Sequence, residues 1–114
     1  MTNEHFEMIV ERQLKLCGKL LVVKGIEYNE PGKNTDDRLH AFKVAAALQN
    51  ISPKEALAGM MAKHTVSIYD MCRNKDSENY TIEKWEEKIS DHINYLLLLK
   101  ALVTEEIEKI HYES

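Results

Sequence analysis

The sequence predicts an all-α fold, a four-helix bundle with long first and last helices. Apolar residues recur at helical spacing, turn and cap signals divide the chain into four segments, and no segment alternates as a strand does. The chain has 114 residues with only four Gly and two Pro, which predicts a single helical domain over residues 1–114. The composition, 44% hydrophobic and 30% charged, is that of a globular protein.

The first helix is expected from about Asn3 to Tyr28. Its apolar side chains return every three or four residues, as on one side of a helix. They are Phe6, Ile9, Val10, Leu14, Leu16, Leu20, Leu21 and Val23. Gly25 weakens the helix near its end, and the Pro and Gly of NEPGKNT (29–35) predict a loop.

The second helix is predicted to be short. Thr35 or Asp36 is a candidate N-cap, and an apolar pattern continues to about Gln49. Asn50 suits the position after the helix, because asparagine tolerates left-handed backbone. The charged residues between 36 and 40 are expected to form a solvated helix start.

The third and fourth helices have clear start signals. Ser52 is followed by a proline and then by Glu55, the pattern of a capping box with proline at the first helical position. This helix is predicted to run to about Cys72. After a polar loop, Thr81 is expected to cap a last helix that continues to about Ile110.

Charge and hydropathy exclude some function classes. The net charge is −4 and there is no basic cluster, so the chain is a poor candidate for nucleic-acid binding. No apolar run, LLLL at 96–99 included, approaches the ~20 residues that span a bilayer. The start MTNEHFEM is unlike a signal peptide, and the two cysteines have no disulfide or ligand pattern. A cytoplasmic protein with reduced thiols is expected.

The lengths of the outer helices predict an oligomer. The first and last helices are long enough to extend beyond a small bundle, at about 1.5 Å per residue. Apolar surface on such an extension is commonly buried by a second copy of the chain. A homodimer is therefore expected.

The segment EKISDHINYLLLLKAL (87–102) places polar groups on an apolar stripe. At about 100° per residue, Asp91 and Asn94 lie within about 40° of Glu87, and Leu98 and Leu102 continue the same stripe. Because the stripe ends in leucine, we expect its polar members to face the protein interior.

The third helix shows a comparable stripe. Ser67 and Asp70 lie within about 40° of Lys63 around the helix, beside small residues that allow close approach. Together the two stripes predict a cavity in which the carboxylates of Asp70, Glu87 and Asp91 lie near an ammonium group. A structural alternative remains open, in which these groups pair with one another and fix the register of the helices.

Four segments carry a resemblance to known proteins. They are KGIEYN (24–29), RLHAFKVAAAL (38–48), SPKEALAGMMAKHTVSIYDM (52–71) and EEKISDHINYLLLLKAL (86–102). Over about residues 20–105 the chain resembles a group of small phage-encoded helical proteins of uncertain function. More distantly, it is similar to the MazG-like all-α nucleoside triphosphate pyrophosphohydrolases and to phage nucleotide-modification-associated domains.

This resemblance implies a metal site. MazG-like enzymes hold Mg²⁺ with acidic pairs on two neighbouring helices, and the metal binds the triphosphate and activates a water. By resemblance, Glu87 and Asp91 are the expected catalytic and metal-binding pair, with Asp70 as a further ligand. The chain departs from the pattern because Glu87 and Asp91 are four residues apart instead of three, and because Lys63 and Asp70 stand where two glutamates are expected.

Four residues are expected to bind the substrate. We interpret Lys63 as a phosphate contact and Asn94 as an orienting group. The resemblance also suggests that Lys24 holds a phosphate and that Tyr28 stacks on a base. The alternative for Lys24 and Tyr28 is an ordinary helix end, with a solvated lysine and a half-buried tyrosine.

Two functional hypotheses follow. The first is a MazG-like nucleotide-binding protein, a Mg²⁺-dependent pyrophosphohydrolase of (d)NTPs from a phage, acting in the host cytoplasm. The second is a non-enzymatic phage accessory protein that binds another protein and has a structural polar core. A solvent-reachable cavity between the third and fourth helices separates them, because polar groups that only pair with each other leave none.

Overall fold

The computed structural model describes the backbone of residues 1–28, 37–74 and 79–113, and the side chains of residues 1–25, 37–74 and 79–109. The described residues form helices and no strand: α1 (Asn3–Tyr28), α2 (His40–Gln49), α3 (Pro53–Arg73) and α4 (Ile82–Glu113). The all-α prediction is confirmed at this level, with long outer helices. None of the described helices has the length and hydropathy needed to cross a membrane.

The start of α2 differs from the prediction. The helix begins at His40, whereas the predicted caps, Thr35 and Asp36, lie outside the described residues. The Asp37 carboxylate accepts the backbone N–H of Leu39 at 3.0 Å, and the Asp37 carbonyl accepts the N–H of His40 at 3.1 Å. An aspartate turn therefore leads the chain into α2.

Three charged residues, Asp37, Lys43 and Glu105, connect the start of α2 to α4. The Lys43 ammonium lies 2.6 Å from Asp37 Oδ2 and 2.6 Å from Glu105 Oε1 of α4. The hydrogen bond from Lys43, and then the one from the Leu39 N–H, hold the pKa of Asp37 below its usual range. The charged form of Asp37 is thus the form that the fold favours.

The other cap predictions are confirmed. Asn50 has left-handed backbone, with φ 55° and ψ 46°. The Ser52 hydroxyl accepts the Glu55 N–H at 3.2 Å, and the Glu55 carboxylate accepts the Ser52 N–H at 3.3 Å. The Thr81 hydroxyl accepts the Lys84 N–H at 3.1 Å. The Ser52 and Thr81 caps each satisfy a backbone donor that the helix leaves open, whereas the backbone N–H of Asn50 donates to carbonyls at the end of α2.

The main core forms where α3 packs between α2 and α4. Its buried members are Leu39, Phe42, Leu57 and Leu102, and partly buried Met60, Met61, Tyr95, Leu98 and Leu99 surround them. Between α3 and α4, the pairs Lys54–Glu106 and Thr65–His92 have numbers that rise on one helix and fall on the other, so these helices are antiparallel. Burying side chains of this size supplies about 1.5–3 kcal/mol each.

Helix α1 is attached to α4 by polar contacts close to two small buried side chains, Cys17 and Ser90. The Gln13 side-chain amide donates to the Ser90 hydroxyl at 2.7 Å and to Cys17 Sγ at 3.2 Å. Cys17 and Ser90 are both fully buried. Nearby, Arg12 Nε lies 2.9 Å from the Glu86 carboxylate, and this contact lowers the pKa of Glu86. These bonds fix where α1 crosses α4.

Candidate functional site

A cavity of about 170 Å³ lies where the four helices approach one another. Its lining comes from all four of them or from the residues that lead into them: Leu21, Lys24, Arg38, Ala41, Phe42, Met60, Asp91, Asn94, Tyr95 and Leu98. Most of these side chains are apolar or aromatic, and a few are polar. That mixture is typical of a small-molecule site.

The Asn94 side chain is the most informative polar group in the lining. It is only 4% exposed, and neither its Oδ1 nor its Nδ2 has a hydrogen-bond partner. Leaving a buried polar group unpaired costs about 1–3 kcal/mol, so such groups are rare in folded proteins. Asn94 therefore carries an unused donor and an unused acceptor, and its side chain belongs to a residue that lines the cavity.

An ion pair occupies the edge of the cavity. Lys24 Nζ lies 3.5 Å from Asp91 Oδ1, and the other carboxylate oxygen of Asp91 lies 4.0 Å from His64 Nδ1. The Asp91 side chain is 17% exposed and the Lys24 side chain 44%. The cavity thus reaches solvent beside Lys24, whereas the carboxylate lies further inside.

A second cation lies beside this pair. Arg38 Nη2 donates to the Leu21 carbonyl at 3.4 Å, which holds the guanidinium against α1. A Cβ atom at Gly25 would lie 3.0 Å from Arg38 Nε, so the glycine gives the guanidinium room. Among the described lining residues, Lys24 and Arg38 oppose a single carboxylate. The described part of this edge therefore carries two cationic side chains.

Two aromatic rings form one wall. The rings of Phe42 and Tyr95 meet edge to face with centroids 6.4 Å apart. The Tyr95 ring also contacts the His64 ring, with centroids 4.7 Å apart and planes tilted by 38°. These two ring contacts restrict the orientation of Tyr95.

The structure brings together three of the residues predicted from the sequence. Asn94, Asp91 and Lys24 all line the cavity. The α4 stripe faces the interior from Asp91 onwards, as the leucines that continue it predict. Leu102 on the same stripe is buried.

Other predicted residues lie elsewhere. The Glu87 side chain is 59% exposed, and its nearest cation is Lys84 at 4.0 Å. Lys63 and Asp70 are exposed on α3, which corrects the expected inward stripe of that helix. The side chain of Tyr28 lies outside the described residues.

The side of α3 that faces α4 is apolar instead. It carries Leu57, Met60, Met61, His64 and Met71, all buried or partly buried. Burying methionine and leucine lowers the free energy, whereas burying an ammonium removes its hydration and raises the free energy. Burial therefore selects the apolar stripe and leaves Lys63 in solvent.

The described acidic residues do not form a magnesium donor set. Among the parts of the chain that the structure describes, no group of three or more His, Cys, Asp or Glu side chains is arranged to hold a metal ion. Asp91 faces Lys24, and Glu87 and Asp70 are exposed. The metal-binding and catalytic roles expected of Glu87, Asp91 and Asp70 stay predictions.

Sequence reasoning missed two contributors to the site. Arg38 was expected in a solvated helix start, and Phe42 had no predicted role at a site. A guanidinium next to an apolar helix face gives no local signal of burial. Arg38 reaches the cavity through a tertiary contact, the hydrogen bond that it donates to the Leu21 carbonyl of α1.

Comparison of the chain with protein-family models, with curated proteins and with solved structures gives no match. The chemistry of the cavity is therefore the basis for a functional proposal.

Proposed function

We propose that this chain is a MazG-like nucleotide-binding protein. The ring of the ligand enters the cavity, and its phosphates lie at the edge beside Lys24 and Arg38. The observation that supports this proposal best is Asn94, a buried amide without a partner at the wall of a cavity that reaches solvent. A polar core that served only structure would pair this group.

The interior of the cavity suits a flat ring. Phe42 and Tyr95 supply aromatic wall, and Met60 supplies a polarisable one. Asn94 adds one donor and one acceptor in a plane, the arrangement that recognises the edge of a base. Ligand sites commonly combine such an apolar lining with a few fixed polar groups.

The edge of the cavity suits an anion. Arg38 supplies a guanidinium group, and guanidinium groups match phosphate geometry. Lys24 supplies a second cation that extends towards solvent. The Asp91 carboxylate holds Lys24 at this edge, so the ammonium is positioned before a ligand arrives.

Thermal unfolding with a panel of dNTPs and NTPs tests the binding proposal. A nucleotide at about 100 times its Kd adds about 2.7 kcal/mol of stability, which raises the Tm by several degrees. We expect this shift in the native chain and its loss in Asn94→Leu. Asn3→Leu, the same exchange at an exposed position, is the matched control and should retain the shift. Absence of a shift with every nucleotide in the native chain would overturn the proposal.

Hydrolysis with Mg²⁺ is a separate proposal that rests on the resemblance. If Asp91 holds a metal, Asp91→Ala removes the Mg²⁺-dependent part of the nucleotide shift and leaves the protein folded. A loss of several kcal/mol of stability in Asp91→Ala, as when one partner of a buried ion pair is removed, would make the residue structural instead. Product analysis of the native chain with each triphosphate and Mg²⁺ decides whether hydrolysis occurs.

The exposed start of α1 favours a second function, binding to a second copy of the chain. All of the first twelve residues are exposed, and Phe6, Ile9 and Val10 are among them. These side chains lie in the part of α1 that precedes its contacts with α4, which begin at Arg12 and Gln13. Light scattering should give a dimer that Phe6→Glu dissociates, whereas Val22→Glu, about 160° away around the helix, leaves it intact. A native monomer at all concentrations would exclude this function.

A further inference from the structure

We propose that the cavity selects a pyrimidine base over a purine, and that Met60 sets this selection. The inference rests on the proposed nucleotide binding and adds the class of base. It follows from the volume of the cavity, from the rigidity of its walls and from the position of one flexible side chain.

The volume matches a single six-membered ring. The cavity measures about 170 Å³. An apolar protein cavity of about 150 Å³ accommodates one benzene ring. A pyrimidine has the same ring size, with small substituents at its edge. A purine carries a second, fused ring, for which the remaining volume is too small unless a wall moves.

Most of the walls resist such a movement. Phe42 is buried, belongs to the main core with Leu57, and meets the Tyr95 ring edge to face. Shifting it would displace the packing between α2 and α3. Because protein interiors are close-packed, such displacements are costly. The aromatic side of the cavity therefore keeps its position when a ligand enters.

Met60 is the adjustable wall. It lies on α3, is only partly buried and lines the cavity together with residues of α4. Methionine is unbranched and fits irregular spaces, so its end determines how deep a ligand reaches. Met61 follows it, packs against the same core, and is absent from the lining. The two methionines form a natural pair of test and control positions.

Asn94 suits the edge of a pyrimidine. Cytosine presents a ring acceptor next to an amino donor, and uracil and thymine present a ring donor next to a carbonyl acceptor. An asparagine amide pairs with either arrangement, because a flip of the amide exchanges the positions of its oxygen and nitrogen. Asn94 therefore recognises a pyrimidine edge without choosing between these bases.

Calorimetric titration of dCTP, dTTP, dATP and dGTP into the native chain, Met60→Ala and Met61→Ala tests the inference. All four carry the same triphosphate, so differences report the base. We expect the native chain to bind the two pyrimidines at least about tenfold more tightly than the purines. Met60→Ala should remove most of this difference by enlarging the cavity, and Met61→Ala should keep it.

The outcomes separate the two proposals. If purines bind the native chain as tightly as pyrimidines, or if Met60→Ala and Met61→Ala behave alike, the pyrimidine inference is overturned and nucleotide binding stands. If no nucleotide binds the native chain, the proposed function is overturned and the inference with it.

Discussion

Replacing Asn94 by leucine should make the protein more stable while it abolishes ligand binding. Leucine has nearly the shape of asparagine but no polar atoms. Asn94 is 4% exposed and both of its side-chain polar atoms lack partners. The exchange removes an unsatisfied buried amide and loses no hydrogen bond within the protein.

The size of the effect follows from the cost of burying an unpaired polar group. That cost is about 1–3 kcal/mol, and Asn94→Leu should recover it as an increase in the free energy of unfolding. For a domain of this length, each kcal/mol moves the Tm by about 4 °C, so a rise of about 4–12 °C is expected. Such a gain in stability on loss of function is common at binding sites.

Urea unfolding followed by far-ultraviolet circular dichroism measures this change, and Ser90→Ala is its comparison. Ser90 lies one helical turn before Asn94 and is fully buried, but its hydroxyl accepts a hydrogen bond from Gln13 at 2.7 Å. Its removal should therefore lower stability by about 1 kcal/mol. If Asn94→Leu loses stability as Ser90→Ala does, Asn94 is a paired structural group and the reasoning about the cavity is refuted.

Three further predictions concern the fold around the site. Asp37→Asn should lower stability at neutral pH by at most about 1 kcal/mol, because the Asp37 side chain is 35% exposed and its ion pair is partly screened. The pKa of Asp37 is lowered in the folded state, so its contribution is present above the unfolded pKa of about 4 and is lost as the pH falls through the lower folded value. Unfolding curves of the native chain and Asp37→Asn should therefore converge in acid, and a gap that persists there would contradict this origin. Ser52→Ala should cost about 1 kcal/mol through loss of the capping box and leave nucleotide affinity unchanged, as urea unfolding and titration would establish. A thiol reagent should modify Cys72 in the native chain and reach Cys17 only after unfolding, since the first is exposed and the second buried; rapid labelling of both thiols would show that α1 detaches from α4.

The helix boundaries were largely predictable because their signals are local. Ser52, with a glutamate three residues later, specifies a helix start within one turn, and Thr81 specifies another. Asn50 ends α2 by its own backbone preference. The start of α2 was harder to predict, because Asp37 makes its turn with the help of Lys43.

The site was predictable only in part. On α4 the leucines after Asn94 mark the buried side of the helix, so the direction of Asn94 and Asp91 follows from periodicity. On α3 either of two stripes could face the interior, one containing Lys63 and one containing Met60. Packing against α4 buries the Met60 stripe and leaves Lys63 exposed. The contribution of Arg38 depends on a contact with a carbonyl of α1, which no local pattern encodes.

The cavity is lined by residues of α1 as well as by residues of the other helices, so a ligand there would couple α1 to the rest of the protein. Helices α2, α3 and α4 share the main core, whereas α1 packs chiefly on α4, and Cys17 is the one fully buried side chain among those described in α1. Segments joined by few contacts open without global unfolding, so amide hydrogens of α1 should exchange with solvent sooner than those of α3. A ligand in the cavity would contact Leu21 and Lys24 together with residues of α2 and α4. Its binding would slow exchange along α1, including at amides that the ligand never touches, and would make the four helices open as one unit.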